Sequence, residues 1–111
     1  MVISDMLRAI ALSLPGTREK PHFDRAAFSV DRIYATLDSS GLSANLKFTP
    51  DEQDFKCQLA PDIFSPIDNA WGRQGWTTMS LSHASEQDVR AALAMAHAHA
   101  GKGPRGKAKP L

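Results

Sequence analysis

The sequence predicts an α+β domain, a two-layer sandwich in which helices cover one face of an antiparallel sheet. Apolar residues recur at helical spacing near both ends of residues 1–100, and short alternating segments follow one another with tight turns between them. Consecutive strands joined by short turns pair antiparallel rather than forming βαβ units. Helices beside such a sheet bury their apolar stripes on one of its faces, so the opposite face is predicted to be open.

The first half of the chain predicts one helix and three strands. Apolar residues at three- and four-residue spacing mark the helix, which Ser4 caps and Pro15-Gly16 stops. Its apolar positions are Ile3, Met6, Leu7, Ile10, Ala11 and Leu14. The strands are predicted near residues 26–30, 33–38 and 42–49, with turns at 31–32 and 39–41.

The second half predicts a helix, two strands and a final helix. The second helix begins at the capping-box sequence Thr49-Pro50-Asp51-Glu52, and Phe55 with Leu59 is expected to form its buried side. A short segment near 64–67 and a strand over 76–81 come next. The last helix begins at Ser85 and turns Val89, Ala92, Leu93 and Ala96 to the core. The predicted order is therefore α-β-β-β-α-β-β-α.

Composition indicates one globular, cytoplasmic domain over residues 1–100. An apolar fraction of 42% and a single cysteine are typical of such a protein, and no apolar run approaches the roughly 20 residues that span a membrane. Residues 1–100 hold nine Lys/Arg and twelve Asp/Glu, a net charge of −3. Residues 101–111 hold four Lys/Arg, no acid and little apolar content, which predicts a disordered basic tail. Four such charges predict weak, salt-dependent contact with DNA phosphates.

The most informative segment is residues 69–76, Asn-Ala-Trp-Gly-Arg-Gln-Gly-Trp. It holds both tryptophans of the chain, Trp71 and Trp76, and it leads directly into a predicted strand. Large aromatic side chains on a loop either pack or bind something, and loops carry many working residues. We interpret Gly72 and Gly75 as turn residues with positive φ.

Six short motifs, in a specific order, carry a resemblance to a known family. They are Leu14-Pro-Gly-Thr17, Lys20-Pro-His-Phe23, Phe28-Ser-Val30, Tyr34-Ala-Thr-Leu37, Asn45-Leu-Lys-Phe48 and Trp71-Gly-Arg-Gln-Gly-Trp76. Over residues 5–98 the chain resembles the MmcQ/YjbR family of small bacterial proteins. The resemblance implies a two-layer α+β domain of the secretion-chaperone-like or frataxin-like kind, and DNA as the partner.

Strand alternation predicts which side chains lie on the open face. The predicted inward set is Phe28, Val30, Ala35, Leu37, Leu46, Phe48, Met79 and Leu81. The predicted outward set is Ser29, Tyr34, Thr36, Asn45, Lys47, Trp76, Thr78 and Ser80. Rings on this face would stack on bases, and cations beside it would contact phosphates. The candidate nucleic-acid-binding residues are Lys20, His22, Tyr34, Asn45, Lys47, Arg73, Gln74 and Trp76.

Two alternatives stay open. In one, Trp76 covers the sheet, Trp71 packs under the loop and Arg73 is merely solvated. In the other, the domain is a protein-interaction or homodimerisation module with no nucleic-acid role, and the net-acidic body departs from the basic folded face that a DNA binder usually carries. No enzyme or cofactor is expected, because no nucleophile, acid–base pair or cofactor motif is present. No metal site is expected, because the histidines and Cys57 lack ligand spacing.

Overall fold

The computed structural model describes residues 2–101, which form four helices and one six-stranded antiparallel sheet. The helices are α1 (Ser4–Ser13), α2 (Pro50–Leu59), α3 (Ala70–Arg73) and α4 (Glu86–His97). The strands are β1 (Arg18–His22), β2 (Arg25–Ser29), β3 (Ile33–Leu37), β4 (Ser43–Lys47), β5 (Phe64–Pro66) and β6 (Trp76–Ser80). Their order across the sheet is β1-β2-β3-β4-β6-β5. The predicted α+β class is confirmed.

Two elements are absent from the predicted order, β1 and α3. The first, β1, pairs with β2 from Arg18 opposite Ser29 to His22 opposite Arg25. Its sequence, Arg-Glu-Lys-Pro-His, has no apolar face, and a proline is tolerated because β1 is an edge strand. The second, α3, is a single turn inside the tryptophan segment, too short for a helical period to show.

The core lies between the sheet and helices α1 and α4. The predicted inward residues are buried except for Val30, which is half-buried, and Val89, Ala92, Leu93 and Ala96 of α4 are fully buried as predicted. At the start of α1 the prediction is wrong, because Ile3 is the exposed N-cap and Ser4 is already helical. The backbone N–H of Val2 donates to the Leu81 carbonyl at 2.9 Å, so the residue before the N-cap is held by the chain that follows β6.

The predicted buried side of α2 is also wrong. Phe55 and Leu59 are 59% and 67% exposed, and no residue of α2 is fully buried. The helix contacts β5 at the edge of the sheet instead of lying across a sheet face, with Lys56 placed 5.5 Å from the centre of the Phe64 ring. The predicted capping box at Thr49 and Glu52 is confirmed by both of its hydrogen bonds.

No helix among residues 2–101 is long and apolar enough to cross a membrane. The predicted basic tail lies outside the described residues, apart from Gly101.

Candidate functional site on the open sheet face

One row of side chains crosses all six strands on the face opposite α1 and α4. The register places Lys20, Ala27, Thr36, Asn45, Thr78 and Ser65 side by side. Directly paired residues of antiparallel strands lie on the same face. The centre of the open face is therefore polar, with Thr36, Asn45 and Thr78 adjacent.

A groove of about 530 Å³ lies over this face, a volume typical of small-ligand sites. One wall comes from the hairpin between β1 and β2, through His22 and Phe23, and the other comes from the connection between β5 and β6. The residues of that second wall are Ile67, Asn69 and Trp71. The floor consists of Arg25, Ile33, Thr36, Asn45 and Trp76. Aromatic and apolar groups thus surround a few polar ones.

The hairpin wall ends in an exposed aromatic side chain with unusual backbone geometry. Phe23 is 94% exposed and has φ +60°, the only positive φ of a non-glycine residue within residues 2–101. A bulky residue rarely adopts this conformation, because its Cβ clashes with the backbone, a clash that glycine avoids. Its ring meets the His22 ring edge-on, with centroids 4.8 Å apart. Two aromatic side chains are therefore presented together at the rim of the groove.

The opposite wall is rigidly constructed. The Asn69 side chain accepts hydrogen bonds from the backbone N–H groups of Trp71 and Gly72 and so caps α3. A Cβ on Gly72 would lie 1.5 Å from the Ile67 carbonyl oxygen, so this position needs glycine for close approach. The Gln53 amide of α2 donates to the carbonyls of Gly72 and Trp76, both at 2.9 Å. Trp71, at 61% exposure, is held on a fixed support.

Hydrogen bonds within the floor occupy some of its polar atoms and leave others open. Arg25 donates to the Thr36 hydroxyl at 2.9 Å and pairs with the Asp38 carboxylate at 3.0 Å, so its charge is largely neutralised. The Thr78 hydroxyl donates to the Asn45 side-chain oxygen at 2.9 Å. Within residues 2–101 nothing accepts from the Asn45 amide NH₂, which leaves a donor available to a ligand on the floor.

Comparison with known proteins places this arrangement in a family. The family model YjbR matches residues 12–99. The chain belongs to the YjbR family. The crystal structure of Deinococcus radiodurans protein DR2400, with a domain described as DUF419, is similar to it, with a TM-score of 0.74 and 23% identity over 88% of this chain and 78% of that one. At that identity the likeness concerns the fold alone. No curated protein matches the sequence.

The structure of this YjbR-family chain brings together only part of the predicted site. Three of the candidate residues line the groove: His22, Asn45 and Trp76. Lys20 is exposed in the same cross-strand row, at its outer end. Lys47 lies beyond Trp76, whereas Arg73 and Gln74 are exposed outside the groove, Arg73 beside a separate cavity. The exposure of Trp71 contradicts the alternative in which it packs under the loop.

Tyr34 does not lie on the open face, because β3 contains a β-bulge. The pairing with β2 shifts from Phe28 opposite Ala35 to Ser29 opposite Ile33, so Tyr34 is an extra residue and turns inward. It is 1% exposed, and its hydroxyl hydrogen-bonds that of Thr17 at 2.9 Å. Burial raises the pKa of Tyr34, and the hydrogen bond to Thr17 partly opposes this shift.

The residues predicted for the site omit four that line or support the groove of this YjbR domain: Phe23, Arg25, Gln53 and Asn69. The two-residue turn Phe23-Asp24 would have revealed the hairpin wall had β1 been recognised. Asn69, two residues before a tryptophan, carries the local signal of an N-cap. Nothing near Gln53 in the sequence indicates that it supports a loop about 20 residues further on. Gly75 has the predicted positive φ, +111°, but Gly72 does not.

Two histidines, His97 and His99, and the single cysteine have structural surroundings. His97 hydrogen-bonds the Pro15 carbonyl at 2.7 Å, and His99 hydrogen-bonds the Glu52 carboxylate at 2.9 Å. Burial, and to a smaller extent Asp54, raises the pKa of the Cys57 thiol, which lowers its reactivity at neutral pH. No group of three His, Cys, Asp or Glu within residues 2–101 is arranged to hold a metal ion.

Proposed function

We propose that this YjbR-family protein is a non-enzymatic binding module whose groove takes unpaired bases of single-stranded DNA. The observation that carries the proposal is the pair of aromatic walls, with Trp71 on one side and His22 and Phe23 on the other. Bases stack on aromatic side chains with little dependence on sequence, because every base has a π-face. The open Asn45 amide on the floor supplies a donor to a base edge.

The groove suits single strands better than duplex DNA. Bases inside a duplex are stacked and paired, so a concave aromatic groove reaches them only after they separate. A duplex binder carries its basic residues on one folded face. Here residues 1–100 have a net charge of −3, and Arg25 in the groove is paired with Asp38. We therefore expect stacking to dominate and the salt dependence to be shallow.

The test compares two exposed aromatic residues. Trp71→Ala removes a ring from the groove, whereas Phe55→Ala removes an equally exposed ring from α2, outside the groove. In anisotropy titrations of a labelled oligothymidylate at low salt, Trp71→Ala should weaken binding about 5- to 150-fold, corresponding to about 1–3 kcal/mol for one stacked base. Phe55→Ala should bind as the wild type does.

Three outcomes would contradict the proposal. One is the absence of any complex with oligothymidylate at low salt, and another is equal weakening by both alanine variants. The third is tighter binding of a duplex than of either of its separated strands, since duplex recognition needs a different surface. An oligouridylate of the same length, titrated in parallel, shows whether RNA binds as well as DNA.

A separate observation favours protein binding as a second candidate function. Phe55 and Leu59, one turn apart, form an exposed apolar ridge on α2, beside the carboxylates of Asp51 and Asp54. Two copies of this ridge would bring like charges together, so the matching partner is a basic amphipathic helix rather than a second copy.

The probe for this second candidate is a synthetic helix with a leucine face and a lysine face. Phe55→Ser should abolish its binding in calorimetry, while Trp71→Ala should leave it unchanged. Equal binding by the wild type and Phe55→Ser would exclude the ridge as the contact. Sedimentation over a wide protein range should show a constant mass, and a concentration-dependent mass would instead support homodimerisation.

A further inference from the structure

A second cavity, of about 280 Å³, lies next to the groove across Trp76. Trp76 and Ile33 line both cavities. Three nitrogen-bearing side chains also line the second one: Arg32, Lys47 and His99. They come from three separate places in the fold, which are the turn between β2 and β3, the end of β4, and the chain just after α4. The groove is lined mainly by aromatic and apolar groups, whereas two cations, Arg32 and Lys47, face this cavity.

Arg32 is fixed at the cavity by the chain that follows α4. The backbone N–H groups of Asp31 and Arg32 both donate to the Ala100 carbonyl at 3.0 Å. One guanidinium nitrogen of Arg32, Nη1, donates to the carbonyl oxygens of Gly101 at 3.0 Å and His99 at 3.4 Å. These acceptors are neutral, and the Nε and Nη2 donors of Arg32 are not engaged within residues 2–101.

Lys47 is a partly buried cation whose hydrogen-bond acceptor is also neutral. Its ammonium donates to the Phe48 carbonyl at 3.2 Å, and it forms no ion pair within residues 2–101. Burial lowers the pKa of Lys47, while the Glu52 carboxylate, further away, opposes that shift. A bound anion would offset the unfavourable desolvation of this ammonium.

The nearby carboxylate does not satisfy these two cations. Glu52 accepts hydrogen bonds from the Thr49 backbone N–H and from His99, and within residues 2–101 no hydrogen bond or ion pair joins it to Arg32 or Lys47. Arg32 and Lys47 thus face one cavity, each held by backbone carbonyls and neither paired with an acid. A tetrahedral anion with several acceptor oxygens matches donors that converge from separate elements.

We propose that this cavity binds one phosphate group, and that this phosphate belongs to a nucleotide whose base lies in the groove on the other side of Trp76. The second part rests on the proposed function. Arg32 and Lys47 contact the phosphate, and Trp76 lies between it and the base. The ligand class is therefore a nucleotide or a strand end, recognised by its base and its phosphate together.

Inorganic phosphate is the first probe. Amide and side-chain NMR spectra with sodium phosphate, against sodium chloride at equal ionic strength, should show saturable shifts at Arg32 and Lys47. Lys47→Gln should weaken phosphate binding at least about tenfold, the factor expected when one charge-assisted hydrogen bond is lost. Lys20→Gln is the matched control, because it removes the same charge from a lysine on the open face outside both cavities. Lys47→Arg should keep most of the affinity.

A thymidine monophosphate titration then tests the link between the two cavities. It should bind more tightly than inorganic phosphate, and Trp71→Ala should reduce it to the affinity of phosphate alone. Equal affinities for the two ligands, unchanged in Trp71→Ala, would refute the link and leave a site for free phosphate. Thermal unfolding of each variant confirms that it is folded.

The failures of the two proposals are distinguishable. If Lys47→Gln and Lys20→Gln weaken phosphate binding equally, or neither does, the phosphate site is wrong even where Trp71→Ala still weakens oligothymidylate. If Lys47→Gln alone weakens phosphate binding while no oligonucleotide binds, the cavity stands as a phosphate site and the single-strand proposal fails.

Discussion

Replacing Phe23 by glycine should stabilise the protein while weakening its binding. Phe23 has φ +60° and is 94% exposed, so its ring buries almost no surface that would offset its backbone conformation. A left-handed conformation costs an L-residue about 1–2 kcal/mol. The glycine variant avoids this penalty, but the greater entropy of its unfolded chain lowers its free energy of unfolding by about 0.4–1 kcal/mol. The exposed edge contact with His22 contributes little, and the net gain should be about 0.5–1 kcal/mol.

Phe23→Ala separates the ring from the backbone. Alanine keeps the unfavourable positive φ but removes the ring, so its free energy of unfolding should remain close to that of the wild type. Both variants should bind oligothymidylate less tightly, by about 1–3 kcal/mol if one base stacks on the ring. Only the glycine variant should gain stability.

Urea denaturation followed by tryptophan fluorescence measures the stabilities, and anisotropy measures the binding. In thermal unfolding the glycine variant should melt about 2–6 °C higher, as expected for a domain of this size. A glycine variant less stable than the alanine variant would refute the claim that the conformation of Phe23 is strained. Wild-type binding by both variants would show that the hairpin wall does not contact the ligand.

Three further predictions concern the support of the site and the buried tyrosine. The Gly72 and Trp76 carbonyls each keep a backbone donor, but Gln53→Ala removes the side-chain hydrogen bond that each accepts. Urea denaturation should show a loss of about 1–3 kcal/mol, from about 0.5–1.5 kcal/mol per hydrogen bond, and an unchanged midpoint would mean that water replaces the amide. Gly72→Ala places a Cβ against the Ile67 carbonyl and should cost about 1–3 kcal/mol, visible as a lowered melting temperature, whereas full stability would show that the loop can shift freely. Burial raises the pKa of Tyr34, so the neutral hydroxyl contributes to the stability of the fold. This contribution is fully present below the unfolded-state pKa of about 10 and is lost as pH rises through the folded-state pKa. Tyr34 is the only tyrosine, so tyrosinate absorbance reports its titration alone. The pKa of Tyr34 in the folded protein should be higher than its pKa in the urea-unfolded protein. A folded-state pKa at or below the unfolded-state pKa would exclude its burial.

The fold was predictable where local signals agree with tertiary packing. The capping boxes at Thr49 and Ser85 and the apolar stripe of α4 specify helices without reference to the rest of the chain. Prediction fails where long-range pairing decides the outcome. The apolar spacing of Phe55 and Leu59 is that of a buried helix face, but α2 lies at the sheet edge and turns that face outward.

The candidate site was predictable only in part, for the same reason. Alternation in β4 and β6 correctly places Asn45, Trp76 and Thr78 on one face, because these strands pair without interruption. In β3 a single extra residue reverses the direction of Tyr34, and nothing in the local sequence marks the bulge. A prediction that assumes strict alternation therefore loses one aromatic residue from the face and misses Ile33, which takes its place in the groove.

The contrast between the two walls bears on how tightly such a groove can bind. Ordering of mobile loops and side chains is a main cost of association, so a ring carried on backbone that is already held in place contributes more of its contact energy to affinity. Trp71 meets this condition, because Asn69 caps its helix turn and Gln53 holds the adjoining carbonyls. Phe23 does not, because its hairpin ends at an edge strand that pairs only with β2. Of the two rings, Trp71 should therefore contribute more to affinity, and Trp71→Ala should weaken oligothymidylate binding more than Phe23→Ala does.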